Sequence, residues 1–170
     1  MLKRTFNKQA EFLPLRIKKE NGRYRDASEE EILDAALAII DARFSKGTAL
    51  TSPEKTNEFL KLHLAPIDHE IFAVLWLDNQ HSVIAFEELF RGTIDGASVY
   101  PREVVKAALH HNAAACILCH NHPSGIAEPS QADKAITEKV KHALALIDVR
   151  TLDHMIVAEK TCSFAELGLI

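Results

Sequence analysis

Apolar positions over residues 27–48 recur at helical spacing. Ile32, Leu33, Ala36, Leu37, Ile40 and Phe44 share a face behind the capping box Ser28-Glu29-Glu30-Glu31, and Gly47 supplies a stop. Thr51-Ser52-Pro53-Glu54 marks a second helix start, with proline early in the first turn, and the helix should end near Leu64, before Pro66. The pattern then changes. Residues Ile71–Leu77 are a continuous apolar run of strand length, Asp78-Asn79 is a turn, and residues 83–90 complete an antiparallel pair. After a loop over 92–96, Pro101 opens a helix carrying Val104, Val105, Ala108 and Leu109. Residues 114–119 form a second short apolar run, read as a buried strand bounded by a Pro/Gly turn. Residues 130–147 read as the longest helix, with Ala132, Ile136, Val140, Ala143 and Ile147 along one side, and 150–158 and 162–165 as closing strands. Strands and helices mix without strict alternation, which predicts an α/β fold with a mixed sheet.

Hydrophobic residues make up 47% of the chain and charged residues 26%, ordinary values for a soluble globular protein. No apolar run approaches a membrane span, and Met1-Leu2-Lys3-Arg4 does not open a signal peptide, so no membrane role and a cytoplasmic location are expected. Three cysteines, an odd number, argue against a disulfide framework and agree with a reducing compartment. The net charge of −4 is unevenly spread. Residues 1–26 hold eight basic and three acidic side chains, a net of +5 that leaves −9 on the remainder. This segment lacks periodicity and is expected to be a basic arm, extended or poorly ordered. Such an arm can touch nucleic acid or an acidic partner, but without regularly spaced aromatics a solvated tail is the plainer reading.

The chemistry concentrates in His120-Asn121-His122-Pro123, followed by Ser130 and Asp133. Side chains alternate along a strand, so His120 and His122 leave its end on one face and can grip one ion. Asp133 arrives from the next element, because the loop containing Pro123, Ser124, Gly125 and Pro129 is stiff enough to bring the helix start back. Three protein ligands with a fourth position open is the pattern of a catalytic zinc. Without the histidines, Ser130-x-x-Asp133 would be only a helix capping box, and the two readings are compatible. Ser130 is the candidate donor to a developing oxyanion. For a general base, Glu70, Glu87, Glu88 and Glu103 all stay open, with Glu70 at the start of a buried-looking strand. His110, His111 and His142 read as solvent-facing helix residues. His63, His69 and His81 lie at element ends, and His154 has at most a packing or supporting role.

Two other patterns fall away. Cys116-x-x-Cys119-His120 matches haem attachment literally, but on a strand the two cysteines point to opposite faces and are better read as small buried hydrophobes. A nucleoside-type zinc deaminase needs H-x-E and a downstream cysteine pair, whereas the middle residue here is Asn121.

The spacing from His120-x-His122-Pro123 to Ser130 and Asp133 resembles the JAMM (JAB/MPN) metalloprotease signature. The wider text, with "HEIFAVLWLDN", "GTIDGASVYPREVVKAALHHNAA", "HNHPSG", "PSQADKAITEKVKHAL", "DHMIVA" and "SFAELGL", is similar to the bacterial RadC family from about residue 50 to the C-terminus. The resemblance implies a JAMM/MPN-type mixed β-sheet flanked by helices around a zinc site. It implies zinc on His120, His122 and Asp133, Glu70 as general base and Ser130 steadying the tetrahedral intermediate. The organisation expected is then a basic arm over 1–26, a helix over 27–48 and the metallohydrolase domain over 49–170. Longer RadC proteins resemble a fusion to a helix-hairpin-helix DNA-binding module that has no counterpart here, so the chain looks like a short form. The function expected is zinc-dependent hydrolysis of amide bonds in a protein or peptide substrate. The alternative is a DNA-associated, repair-linked accessory protein that binds nucleic acid through its arm. A metal-dependent nuclease is a weaker third reading, since it calls for a more carboxylate-rich site.

Overall fold

The computed structural model describes residues 15–43, 53–92 and 98–170. Phe44, the Gly47 stop, the Thr51-Ser52 helix start, most of the 92–96 loop and the basic residues Lys3, Arg4 and Lys8 lie outside the described residues. The chain divides into two compact units, 1–39 and 40–170.

In the first unit, β1 (Arg16–Lys18) pairs antiparallel with β2 (Tyr24–Asp26). The second half of the arm is thus a hairpin, not an extended segment. Its cause is local: Asn21-Gly22 is a turn signal, and Gly22 takes φ +80°, a conformation that costs glycine little. Helix α1 (Glu29–Arg43) follows, capped as the sequence suggests: the Glu31 amide donates to Ser28 Oγ at 3.2 Å and the Ser28 amide to the Glu31 carboxylate at 2.9 Å. Arg25 also grips the Glu31 carboxylate and, with the Ser28 amide, holds its pKa down to about 2.

In the second unit, α2 (Pro53–Leu64), β3 (Ile71–Leu77), β4 (Val83–Arg91), α3 (Pro101–His110), β5 (Ala115–Asn121), α4 (Gln131–Ala145), β6 (Arg150–Val157) and β7 (Thr161–Ser163) follow in order. The five strands form one mixed sheet, ordered β4-β3-β5-β6-β7. Only β5 and β6 run parallel, and α4 makes the crossover that a parallel pair requires. At 15 residues α4 is as long as α1, not longer.

Both central strands are buried along their whole length, which is why their sequences are continuous apolar runs instead of alternating ones. On one face Ile71, Ala73, Leu75, Leu77, Ile117 and Cys119 meet Phe59, Leu60 and Leu64 of α2. On the other, Phe72, Val74, Trp76, Cys116 and Leu118 meet Val104 and Ala108 of α3 and Val140 and Leu144 of α4. The result is a sheet with helices on both faces. Among the described residues no helix is long and apolar enough to cross a membrane.

Candidate metal centre

β5 carries His120 at its end on the face of Cys116 and Leu118, and His122 follows on the same side by the two-residue period of a strand. Asp133 comes from the first turn of α4. Ser130 caps that helix: its Oγ accepts from the Asp133 amide at 3.1 Å, while the Ser130 amide donates to Asp133 Oδ2 at 2.8 Å. The capping box therefore forms and at the same time aims the Asp133 carboxylate at the strand end. Asp133 Oδ1 lies 3.5 Å from His120 Nε2, and Oδ2 lies 3.7 Å from His122 Nε2. The two Nε2 atoms are 2.9 Å apart. One ligand atom from each of the three residues falls within 4.8 Å of the others, so the trio can hold a metal ion.

The surroundings orient these groups. His122 Nδ1 lies 2.7 Å from the carbonyl oxygen of Ile126, which can only accept, so the proton of the neutral ring sits on Nδ1 and Nε2 keeps a lone pair. His120 Nδ1 lies 2.8 Å from Nε2 of His154, and His154 Nδ1 lies 2.6 Å from Thr137 Oγ1. Burial pushes His120 down to about pH 4, Asp133 opposing the shift and His122 adding to it. Burial likewise holds His154 well below the usual imidazole range. Both rings are therefore neutral at pH 7, the form that ligates metals.

His120, His122, Ser130, Asp133 and His154 line a cavity of about 420 Å³ together with Glu70, Phe72, Ser98, Val99 and Ile136. Glu70 immediately precedes β3, whose register on β5 sets Phe72 opposite His120. Glu70 stands two residues before Phe72 and lines the same cavity as His120 and His122. The other three glutamates stand elsewhere. Glu87 accepts from Trp76 Nε1 at 3.1 Å and pairs with His111 Nε2 at 2.9 Å. Glu88 is exposed on β4. Glu103 pairs with Arg102 and Lys106 in the first turn of α3. His111 is not solvent-facing as its helix position suggests: as the C-cap of α3 it stacks on Trp76 at 5.9 Å. Cys116 and Cys119 are buried on opposite faces of β5, and desolvation raises both thiols, that of Cys116 to about 12.

Two contributors escaped the sequence reading. Asn121, between the histidines, turns to the opposite side and is buried. Its Oδ1 accepts from the Ile71 amide at 2.7 Å, and its Nδ2 donates to the carbonyls of Ile67 and His69 at 3.2 and 2.9 Å. It thereby fixes the backbone on both sides of Glu70. The available signal was a polar residue where strand alternation points into an apolar layer, which demands partners. Thr137 is the other, a buried hydroxyl one helical turn after Asp133 on an otherwise apolar face.

Comparison with known families matches residues 50–169 to the RadC-like JAB domain. A UPF0758 protein of Thioalkalivibrio sulfidiphilus (strain HL-EbGR7) is 55% identical over 149 residues, covering 88% of this chain and 67% of the relative. One from Vibrio cholerae serotype O1 is 56% identical over 142 residues, covering 84% and 90%. A third, from Nitrosococcus oceani, is 58% identical over 132 residues, covering 77% of this chain and 59% of the relative.

Proposed function

The chain belongs to the RadC-like JAB domain family, and from that premise we propose that it is a zinc-dependent hydrolase of amide bonds, of the metallopeptidase or isopeptidase class. The observation that carries this reading is the convergence of His120, His122 and Asp133 in a cavity that also admits Glu70. Two imidazole nitrogens and one carboxylate are a donor set suited to zinc, and three protein ligands leave a position open for chemistry. When bound, zinc supplies Lewis acidity, polarising an amide carbonyl and lowering the pKa of a water to roughly 7.

The remaining steps belong to the chain's own residues. The Glu70 carboxylate takes a proton from the water as the water oxygen bonds to the amide carbon, and passes it to the nitrogen, which departs as the amine when the C–N bond breaks. Ser130 donates to the oxygen that gains charge. Its hydroxyl donates to Asp133 Oδ2 at 2.6 Å, so that bond must be exchanged as substrate enters. Phe72, Val99 and Ile136 give the cavity apolar walls, which strengthen electrostatic interactions inside it. The test is a peptide-library cleavage screen with metal analysis on the purified full chain. Cleavage that is lost on chelation and restored by zinc supports the reading. Stoichiometric zinc without cleavage of any peptide or isopeptide would overturn its enzymatic half.

A second reading, a DNA-associated accessory protein, is favoured by one observation: Lys18, Lys19 and Arg23 stand exposed on the hairpin of the first unit. Phosphate contacts predict an affinity that falls steeply with salt. A flat salt dependence, or no binding, removes this reading.

A further inference from the structure

A neutral histidine offers a lone pair on only one nitrogen, and for His120 that choice is made two residues away. Thr137 Oγ1 lies 2.5 Å from the carbonyl oxygen of Asp133 and 2.6 Å from His154 Nδ1. A hydroxyl has one proton and the carbonyl can only accept it, so toward His154 the hydroxyl must be the acceptor. Nδ1 of His154 is therefore the protonated nitrogen, and its Nε2 carries the lone pair. His120 Nδ1, 2.8 Å from that Nε2, must donate to it. The Nε2 of His120 is left bare and faces Asp133. The His154 ring is fully buried, with Phe72 and Phe164 at centroid distances of 5.6 and 4.7 Å.

We propose that Thr137 and His154 are positioning residues that lock the tautomer of His120, keeping its Nε2 available to a metal ion. The inference rests on the metal-centre reading for its purpose but not for its geometry. The chain of bonds starts at the backbone of Asp133, so one relay ties the helix-borne ligand to the strand-borne one. Without the Thr137 hydroxyl, His154 Nδ1–H loses its acceptor. The proton then does better on Nε2, where it can donate to His120 Nδ1. That drives the His120 proton onto Nε2, the atom that must ligate. A residue that touches no metal thereby controls metal binding.

The experiment is imidazole nitrogen-15 NMR on the metal-free full chain, with zinc titrations of the same samples. Wild type should show His120 and His154 both protonated at Nδ1. Thr137→Val, which keeps the β-branched shape, should move the His120 proton to Nε2 and weaken zinc binding about 10–100-fold, the usual effect of losing a group that orients a ligand. Thr137→Ser should restore both. A purely packing role for Thr137 would lower the melting temperature without moving the tautomer. Protonation of His120 at Nε2 in the wild-type spectrum overturns the proposal even if Thr137→Val fails to fold. So does a folded Thr137→Val protein with unchanged tautomer and zinc affinity. Failure of wild type to bind zinc, with the Nδ1 tautomer present, overturns the metal reading and leaves the lock standing.

Discussion

The Nε2 atoms of His120 and His122 face each other at 2.9 Å, each with its ring anchored through Nδ1. Two lone pairs so close repel unless a cation lies between them. Purified protein should therefore carry about one zinc per chain, and saturation at a hundredfold over Kd should stabilise it by about 2.7 kcal/mol. His120→Ala, His122→Ala and Asp133→Ala should each abolish most of the zinc and the thermal shift. Metal analysis and melting curves with and without chelator check this; retention of zinc by Asp133→Ala would remove that residue from the ligand set.

Replacing Cys116 and Cys119 together by alanine should leave zinc bound, since the two thiols lie on opposite faces of β5 and neither belongs to the group of His120, His122 and Asp133 that can hold a metal ion. Stability should fall by roughly 1–3 kcal/mol, because both positions are fully buried and small cavities result. Denaturant unfolding with parallel metal analysis separates the two effects.

Glu70→Gln should separate binding from chemistry. The amide keeps the shape but cannot take a proton, so hydrolysis should fall by roughly 10²–10⁴ while zinc content and melting temperature stay near wild type. Glu87→Gln, Glu88→Gln and Glu103→Gln form the control set, because none of them lines the cavity. A near-normal rate for Glu70→Gln would move the base elsewhere.

Asn121→Ala should damage the site indirectly. The Ile71 amide and the carbonyls of Ile67 and His69 lose a shared partner. Stability should drop by about 1–3 kcal/mol through the stranded polar groups. Catalytic rate should fall more than zinc affinity does, because the backbone released is that of Glu70 and not of a ligand. Equal losses in both would assign Asn121 to the metal centre itself.

Acid should unfold the metal-free protein through a defined window. Burial holds the folded His120 near pH 4, against about 6.5 for an exposed imidazole, and lowers His154 as well. Between those values the unfolded chain binds more protons than the folded one. Stability is thus fully present above pH 6.5 and declines as pH falls toward 4. Melting temperatures across pH 8 to 4 should show that decline, and His120→Asn should flatten it; an unchanged slope in the variant would place the proton uptake elsewhere.

The sequence by itself determined much of the fold. Continuous apolar runs over β3 and β5 marked strands buried on both faces, and turn and capping residues set the helix starts at Ser28, Pro101 and Ser130. It also marked His120, His122 and Asp133 as residues that could converge, because a two-residue strand period and a first-turn helical position both carry direction in one dimension. The hairpin at 16–26 leaves no hydrophobic period and is marked in the sequence only by its local turn signal, Asn21-Gly22. Two things were decided only in three dimensions. The residue pattern left Glu70, Glu87, Glu88 and Glu103 open and only the family resemblance pointed to Glu70; that Glu70 lines the cavity and the other three do not depends on β3 lying against β5. The roles of Asn121, Thr137 and His154 depend on hydrogen bonds that span elements, with His154 reaching His120 across 34 residues of chain. Local pattern shows that a buried polar group needs a partner; only the packed structure shows which partner it has and which way the proton points.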